Sequence, residues 1–288
     1  METFFSTGVI GISLGAQYAL ISIGFTLIFG IMGVVNFAHG AFYMLGGYFA
    51  FTLTHSLGVP FALAIVLSAI MTGALGYAVE VLIIDKHVSE HMETMLLTLG
   101  FYQVVVMLVT SFYGAEVVDF RFPINGALRY GRFFIPYSNL IVLIVCTAMI
   151  GVVYYLVFKT RYGIALRAMA DDGVVARAQG IPPAQMFPMA FGLGTALAGL
   201  TGALVTPILA LEPSSGEAVL GKAFIVVILG GLGSISGATL AAFIVGLIEA
   251  YSSVYFGSSE GALALFILVV VILLVRPQGL IGTVTRKA

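Results

Sequence analysis

Apolar stretches separated by short polar or Gly/Pro breaks run along almost the whole 288-residue chain, near 8–29, 38–57, 59–84, 94–113, 137–158, 187–211, 219–235, 237–256 and 260–275. A bilayer core of about 30 Å takes roughly 20 apolar helical residues to cross. The pattern therefore predicts a polytopic membrane protein. The runs are continuously apolar and lack the alternation of lipid-facing strands, which specifies helices and not a barrel. The second and seventh runs contain Gly or Asn breaks that fit a bent or re-entrant element as well as a full span. The expectation is an all-α protein of about eight to ten transmembrane helices, one or two of them bent or re-entrant, forming a single domain over 1–288.

Hydrophobic residues make up 60% of the chain and charged residues 9%, with a mean hydropathy of +1.13. Twelve Lys and Arg against 13 Asp and Glu give a net charge of −1, which offers no basic surface to a phosphate backbone and excludes nucleic-acid binding. The single cysteine, Cys146, lies inside an apolar run, so neither an intrachain disulfide nor a cysteine metal cluster is available. The chain begins Met1-Glu2-Thr3-Phe4 without a basic n-region, so the first apolar stretch is expected to be a retained span and not a cleaved signal.

Cation placement orients the spans. Lys159, Arg161, Arg167 and Arg177 cluster between two runs, and Arg276, Arg286 and Lys287 follow the last. By the positive-inside rule both segments are cytoplasmic, and nine crossings then put the N-terminus outside. With Lys86, eight cations fall inside against four outside, which are Arg121, Arg129, Arg132 and Lys222. Residues 114–136 form the longest external loop, and 159–186 the longest cytoplasmic segment, where a soluble partner can grip.

The 35 glycines, about 12% of the chain, cluster at helical spacing: Gly11 with Gly15, Gly73 and Gly76 with Ala69, and Gly192, Gly194, Gly199 and Gly202. Such small faces let helix backbones approach in lipid, whether for plain packing or for sliding. An internal echo stands at an offset of 200 residues: Ile28, Gly30, Gly33, Ala38, Ala41 and Gly46 match Ile228, Gly230, Gly233, Ala238, Ala241 and Gly246. Repeated bent elements of this kind are what transporters build sites from.

No constellation supports catalysis. Gly216 to Ala223 spells a near P-loop, but Ala223 stands where a Ser or Thr hydroxyl must hold magnesium, and Lys222 falls at the outer entrance to an apolar span. His39, His55, His87 and His91 form no HExxH pattern. His87 and His91 lie in a charged loop with Asp85, Lys86, Glu90 and Glu93, which reads as a solvated turn and not as a metal site. No GxSxG elbow occurs. Intramembrane ionisable residues, costly on insertion scales, are confined to Glu249 and Glu80. Glu80 can snorkel toward Lys86, and Glu249 is either a helix-end residue near the outer interface or a polar pathway residue. An ion-coupled carrier is expected to carry a clearer buried charge, so the energy for any transport comes from elsewhere.

Two segments carry more. The first is Gly24-Phe25-Thr26-Leu27-Ile28-Phe29-Gly30-Ile31-Met32-Gly33-Val34-Val35-Asn36-Phe37-Ala38-His39-Gly40. The second is Arg167-Ala168-Met169-Ala170-Asp171-Asp172-Gly173-Val174-Val175-Ala176-Arg177-Ala178-Gln179-Gly180-Ile181. With GGLGSISGA at 230–238 and RPQGLIG at 276–282, the chain resembles the inner-membrane permease subunits of bacterial ABC importers for branched-chain amino acids, specifically the shorter of the two paired permeases. The resemblance implies an all-helical inner-membrane permease working with a second related permease, two cytoplasmic ATPase subunits that bind the ATP, and a periplasmic solute-binding protein. It brings no cofactor or metal to this chain. Leu, Ile and Val are the implied cargo, with urea, short amides or aromatic acids as alternatives within the class, and an ion-coupled carrier or channel as the alternative outside it.

Importer permeases dock a short cytoplasmic helix into their ATPase. Arg167, Asp171, Asp172, Ala176 and Gly180 are the expected coupling residues, with Asp172, Ala176 and Gly180 on one helical face and a Gly stop before Pro182-Pro183. Asp171-Asp172 replaces the usual Glu-Ala-Ala start of such segments. For the translocation pathway the candidates are Gln17, Asn36, His39, Gly40 and Glu249. Asn36 and His39 interrupt an apolar stretch, either as pathway groups or as the caps of a turn at a cytoplasmic junction. Gln17, Gln103 and Thr26 are further polar positions, each expected to bond between helices.

Overall fold

Long apolar runs leave the backbone no partner in lipid except itself, and each of the nine runs is occupied by a helix. The computed structural model describes residues 2–87, 91–130, 133–276 and 278–281; the expectations placed on Glu90, Arg132, Pro277, Gly282, Arg286 and Lys287 lie outside the described residues. In chain order the elements are α1 (Glu2–Met32), α2 (His39–His55), α3 (Phe61–Val79), α4 (His91–Tyr113), the strands β1 (Ala127–Tyr130) and β2 (Phe133–Pro136), α5 (Tyr137–Lys159), α6 (Arg161–Asp171), α7 (Gly173–Ala178), α8 (Pro183–Val205), α9 (Ser215–Gly230), α10 (Ile235–Tyr255) and α11 (Ser258–Val275). Helix α3 continues as a π-helical turn, Glu80–Ile84, and a 3-10 turn, Asp85–His87.

Among the described residues six helices are long and apolar enough to cross a membrane: α1, α3 with its π-helical extension, α4, α5, α8 and α10. The second and seventh runs give the shorter α2 and α9, of 17 and 16 residues. The architecture is thus the all-α polytopic one. The 114–136 segment carries an unforeseen antiparallel hairpin pairing Ala127 with Pro136 and Tyr130 with Phe133.

The chain divides into two compact units, and the division cuts α1, α5 and α9 in mid-helix. One unit comprises 24–121 and 151–221. Its centre is α8, packed on α2 and α3. The small residues explain the close approach. A methyl group on Gly24 would stand 2.6 Å from the Gly194 carbonyl oxygen, one on Gly73 2.9 Å from the Ala196 Cβ, and one on Gly46 or Gly202 would run into the backbone of Gly199 or Tyr43. Between α2 and α3 the Ser68 hydroxyl donates to the Gly46 carbonyl at 2.6 Å, the kind of interhelical bond that joins helices where the hydrophobic effect does not. By contrast α4 is only 22% buried and turns Leu96, Val104, Met107 and Phe112 outward.

The second unit comprises 1–23, 122–150 and 222–288. Here α10 packs on α11. Gly246 meets the backbone of Gly11 and Gly15 on α1, so the first predicted glycine face is an α1–α10 contact. The Ser13 hydroxyl donates to the Asn139 carbonyl at 2.9 Å, and the Leu280 and Ile281 amides return to the carbonyls at the end of α9.

Candidate functional site

The connector between α5 and α8 is two helices, not one. Thr160 caps α6 by accepting from the Gly163 amide at 3.1 Å, and the Arg167 guanidinium lies 5.0 Å from the centroid of the Phe158 ring. Tyr162 is largely enclosed at the base of α6, and burial pushes its phenol up to about 12. At Asp172 the backbone becomes extended, with φ −152°, and the carboxylate accepts from the amides of Val174 and Val175 at 2.9 and 3.0 Å. That is an N-cap, and it restarts the chain as α7. The far end is a Schellman closure: Gly180 at φ +86°, its amide donating to the Arg177 carbonyl and the Ile181 amide to the Ala176 carbonyl.

This corrects the single helical face expected for Asp172, Ala176 and Gly180. Asp172 precedes α7, Ala176 is buried within it, and Gly180 lies past its end, because a capping carboxylate and a left-handed glycine stop a helix instead of decorating one. Arg167 and Asp171 belong to the preceding α6, which packs on α8.

The break at 33–38 joins α1 to α2. Gly33 takes φ +66°, and the Asn36 side-chain oxygen accepts from the Ala38 amide at 3.0 Å, so Asn36 holds a turn in the manner of an Asx cap. Its side-chain nitrogen is buried and has no hydrogen-bond partner among the described residues. His39 is fully buried, edge-on to Phe25 with ring centroids 5.6 Å apart. A Cβ on Gly40 would stand 2.5 Å from the Gly216 carbonyl oxygen. The Phe37 amide donates to Thr98 on α4, and Gly33 lies near His91. The interruption is therefore a junction between helices, with polar groups turned into the protein.

The echoed segment at 228–246 has the same construction. Gly233 takes φ +84° between α9 and α10, and the Ser234 hydroxyl accepts from the Gly237 amide at 3.1 Å.

Three polar positions depart from expectation. Glu80 does not snorkel: its side chain is fully buried at the start of the π-helical turn, which packs on α8, and neither oxygen has a hydrogen-bond partner among the described residues. Gln103 is exposed on α4 and bonds no neighbouring helix among the described residues, because α4 turns that face outward. Gln17 and Thr26 are buried, Thr26 with no partner for its hydroxyl among the described residues.

Lys222 is the largest correction. Residues 216–223 are helical throughout, and Lys222 stands half-way along α9 instead of at a membrane entrance. Its ammonium lies 2.5 Å from one Glu249 carboxylate oxygen, while the Tyr18 hydroxyl accepts from Lys222 at 2.8 Å and donates to the other Glu249 oxygen at 2.8 Å. Tyr18 lies near the middle of α1, and Glu249 two-thirds of the way along α10, so neither is a helix-end residue. In the sequence the signal for this cluster is a lone lysine inside an apolar run, masked by the near P-loop that surrounds it.

A family model described as the permease component of the branched-chain amino acid transport system matches residues 9–276. The chain belongs to this permease family. It is 31% identical over 293 residues to the high-affinity branched-chain amino acid transport system permease protein BraD of Pseudomonas aeruginosa, covering 94% of each chain. It is 30% identical to LivH of Escherichia coli over 94% of this chain and 93% of LivH. It also matches LivM, a second permease protein of that high-affinity system in Escherichia coli, at 24% identity over 92% of this chain and 67% of LivM. No solved structure matches. This permease is thus a multi-pass membrane protein of a transport family, in agreement with the resemblance seen in its motifs.

Proposed function

We propose that this chain is the permease subunit of an ATP-driven, binding-protein-dependent importer in the bacterial inner membrane, with Leu, Ile and Val as cargo. One observation carries the reading. Helix α7, fixed at one end by the Asp172 cap and at the other by Gly180, holds Val174 and Val175 outward at 68% and 49% exposure. Apolar side chains displayed on a rigid connector between membrane helices suit a groove on a soluble partner. In this reading one of two ATPase subunits docks there, with Arg167, Asp171, Asp172, Ala176 and Gly180 shaping the element, and the other docks on the second permease. A second permease completes the membrane unit, and a periplasmic receptor delivers cargo and selects it. The N-terminus lies outside and the C-terminus in the cytoplasm. Gln17, Asn36, His39, Gly40 and Glu249 line or shape the path. ATP is bound by the partners, and this chain catalyses no reaction. The family description and the names of BraD and LivH support the cargo.

The test is Val174→Asp with Val175→Asp in the complete importer. The ATPase subunits recovered with the membrane subunits should fall at least tenfold while membrane expression holds. Undiminished ATPase recovery, or gradient-driven uptake by the single chain, refutes the reading.

A further inference from the structure

Lys222, Glu249 and Tyr18 come from three helices of one compact unit and meet with opposite charges in contact. An ion pair is an expensive way to hold membrane helices together. Apolar residues of similar volume are often as stabilising or better, and this chain of 9% charged residues uses them nearly everywhere else. Nor is the pair sealed: the Lys222 side chain is 38% exposed and that of Glu249 19%. A charged pair that lies within apolar helices and stays reachable is placed to meet a polar ligand.

We propose that Lys222, Glu249 and Tyr18 form a zwitterion-exchange site on the translocation path. The proposal rests on the importer reading above and deepens it. An amino acid crossing a bilayer carries one carboxylate and one ammonium, and both lose water on the way. At this site the cargo carboxylate takes the place of Glu249 beside the Lys222 ammonium, and the cargo ammonium takes the place of Lys222 beside the Glu249 carboxylate. Two ion pairs replace one with no change in net charge, no covalent step and no proton transferred. Tyr18 suits the exchange because its hydroxyl both accepts from the ammonium and donates to the carboxylate, and so keeps contact with each while their partners change. Its ring, 5.3 Å from the Lys222 nitrogen, holds that ammonium close to the site. The site reads the α-amino and α-carboxyl groups common to all amino acids and ignores the side chain, which leaves cargo choice to the receptor.

The complete importer, reconstituted in liposomes with its receptor and supplied with radiolabelled leucine, provides the test. Lys222→Met with Glu249→Gln removes both charges and leaves none unpaired. Lys222→Glu with Glu249→Lys keeps an ion pair but reverses its polarity. Each double variant is expected to assemble with the second permease and the ATPase subunits in wild-type yield, while leucine uptake falls at least tenfold. Uptake within twofold of wild type in either variant overturns the proposal. Failure of both to assemble with the second permease marks the cluster as a structural staple and overturns it too. A wild-type complex showing neither uptake nor receptor-stimulated hydrolysis refutes the importer reading itself, an outcome distinct from a transporting wild type with transporting variants.

Discussion

Replacing Asp172 tests whether α7 acts as a preformed coupling element. Six helical residues cannot hold together alone, because nucleation fixes about three residues for the first hydrogen bond. The Asp172 carboxylate supplies partners for two first-turn amides, Val174 and Val175. Removing such a cap costs about 1 kcal/mol, and the charge itself adds roughly 0.3–1 kcal/mol against the helix dipole. Asp172→Asn keeps the accepting oxygen and loses only the charge; Asp172→Ala loses both; Asp172→Arg loses both and sets a cation at the positive helix end. The ordering is therefore Asn, then Ala, then Arg in increasing damage. Hydrogen exchange on the purified permease pair should show the 174–178 amides opening about 9- to 30-fold more often in the Ala variant, the factor for the roughly 1.3–2 kcal/mol lost. Receptor-stimulated ATP hydrolysis should fall in the same order while basal hydrolysis holds. Equal behaviour of Asn and Ala would refute the capping role, and wild-type stimulation in the Arg variant would refute the coupling role.

Gly40→Val should abolish transport, because a Cβ there meets the Gly216 carbonyl, whereas Ala62→Val at an exposed position on α3 should leave uptake within twofold. Gly180→Leu forces a side chain into the left-handed region at about 1 kcal/mol and should loosen α7, while Gly180→Asn, which tolerates that region, should restore most of the coupling in the same ATPase assay. Asn36→Ser keeps a cap oxygen without the amide nitrogen, so uptake near wild type, with Asn36→Ala impaired, identifies a turn holder; equal loss in both identifies a pathway donor. Reporter fusions should place Ala127 outside and the end of the chain, after Ala288, inside; the same side for both would mean an even number of crossings between them in place of the expected odd one.

Helix positions were legible because a bilayer sets one length scale and the apolar runs match it, down to the two insecure runs, which became the two shortest of their helices, α2 and α9. What escaped depends on which side chains meet. Lys222 and Glu249 are 27 residues apart, and Tyr18 is 204 residues from Lys222, so only the packing of α1, α9 and α10 turns one apparent external cation and one ambiguous carboxylate into a neutral cluster. Asp171-Asp172 was read as charge at a helix start, and the second aspartate does stand at one; that α6 ends at its neighbour follows from the extended backbone of Asp172, which composition does not reveal. The hairpin at 127–136 escaped because Arg129 and the glycines near it read as loop, while cross-strand pairing is a property of two segments together.

The echo at 200 residues has the physical content that a repeated bent element requires. Gly33 and Gly233 both adopt positive φ, where an L side chain is disfavoured, so each copy needs glycine at the break. Each break is then closed by a side-chain oxygen bonded to a backbone amide, Asn36 to Ala38 in one and Ser234 to Gly237 in the other. Ala38, Ala41, Ala238 and Ala241 are all fully buried, and thirteen residues after each break comes a glycine at backbone contact, Gly46 against Gly199 in one unit and Gly246 against Gly15 in the other. Four of the six matched positions, the glycines at the break and at the contact and the two buried alanines, thus perform the same tasks twice. Chance identity among abundant glycines and alanines has no reason to preserve backbone sign, cap and contact together. A duplicated helix–break–helix does, because each copy must stop one helix, satisfy the freed amides and seat the next helix closely. The difference between the copies then becomes informative: only the first sets a histidine and an asparagine into the break, and only the second carries a carboxylate, Glu249, further along its second helix.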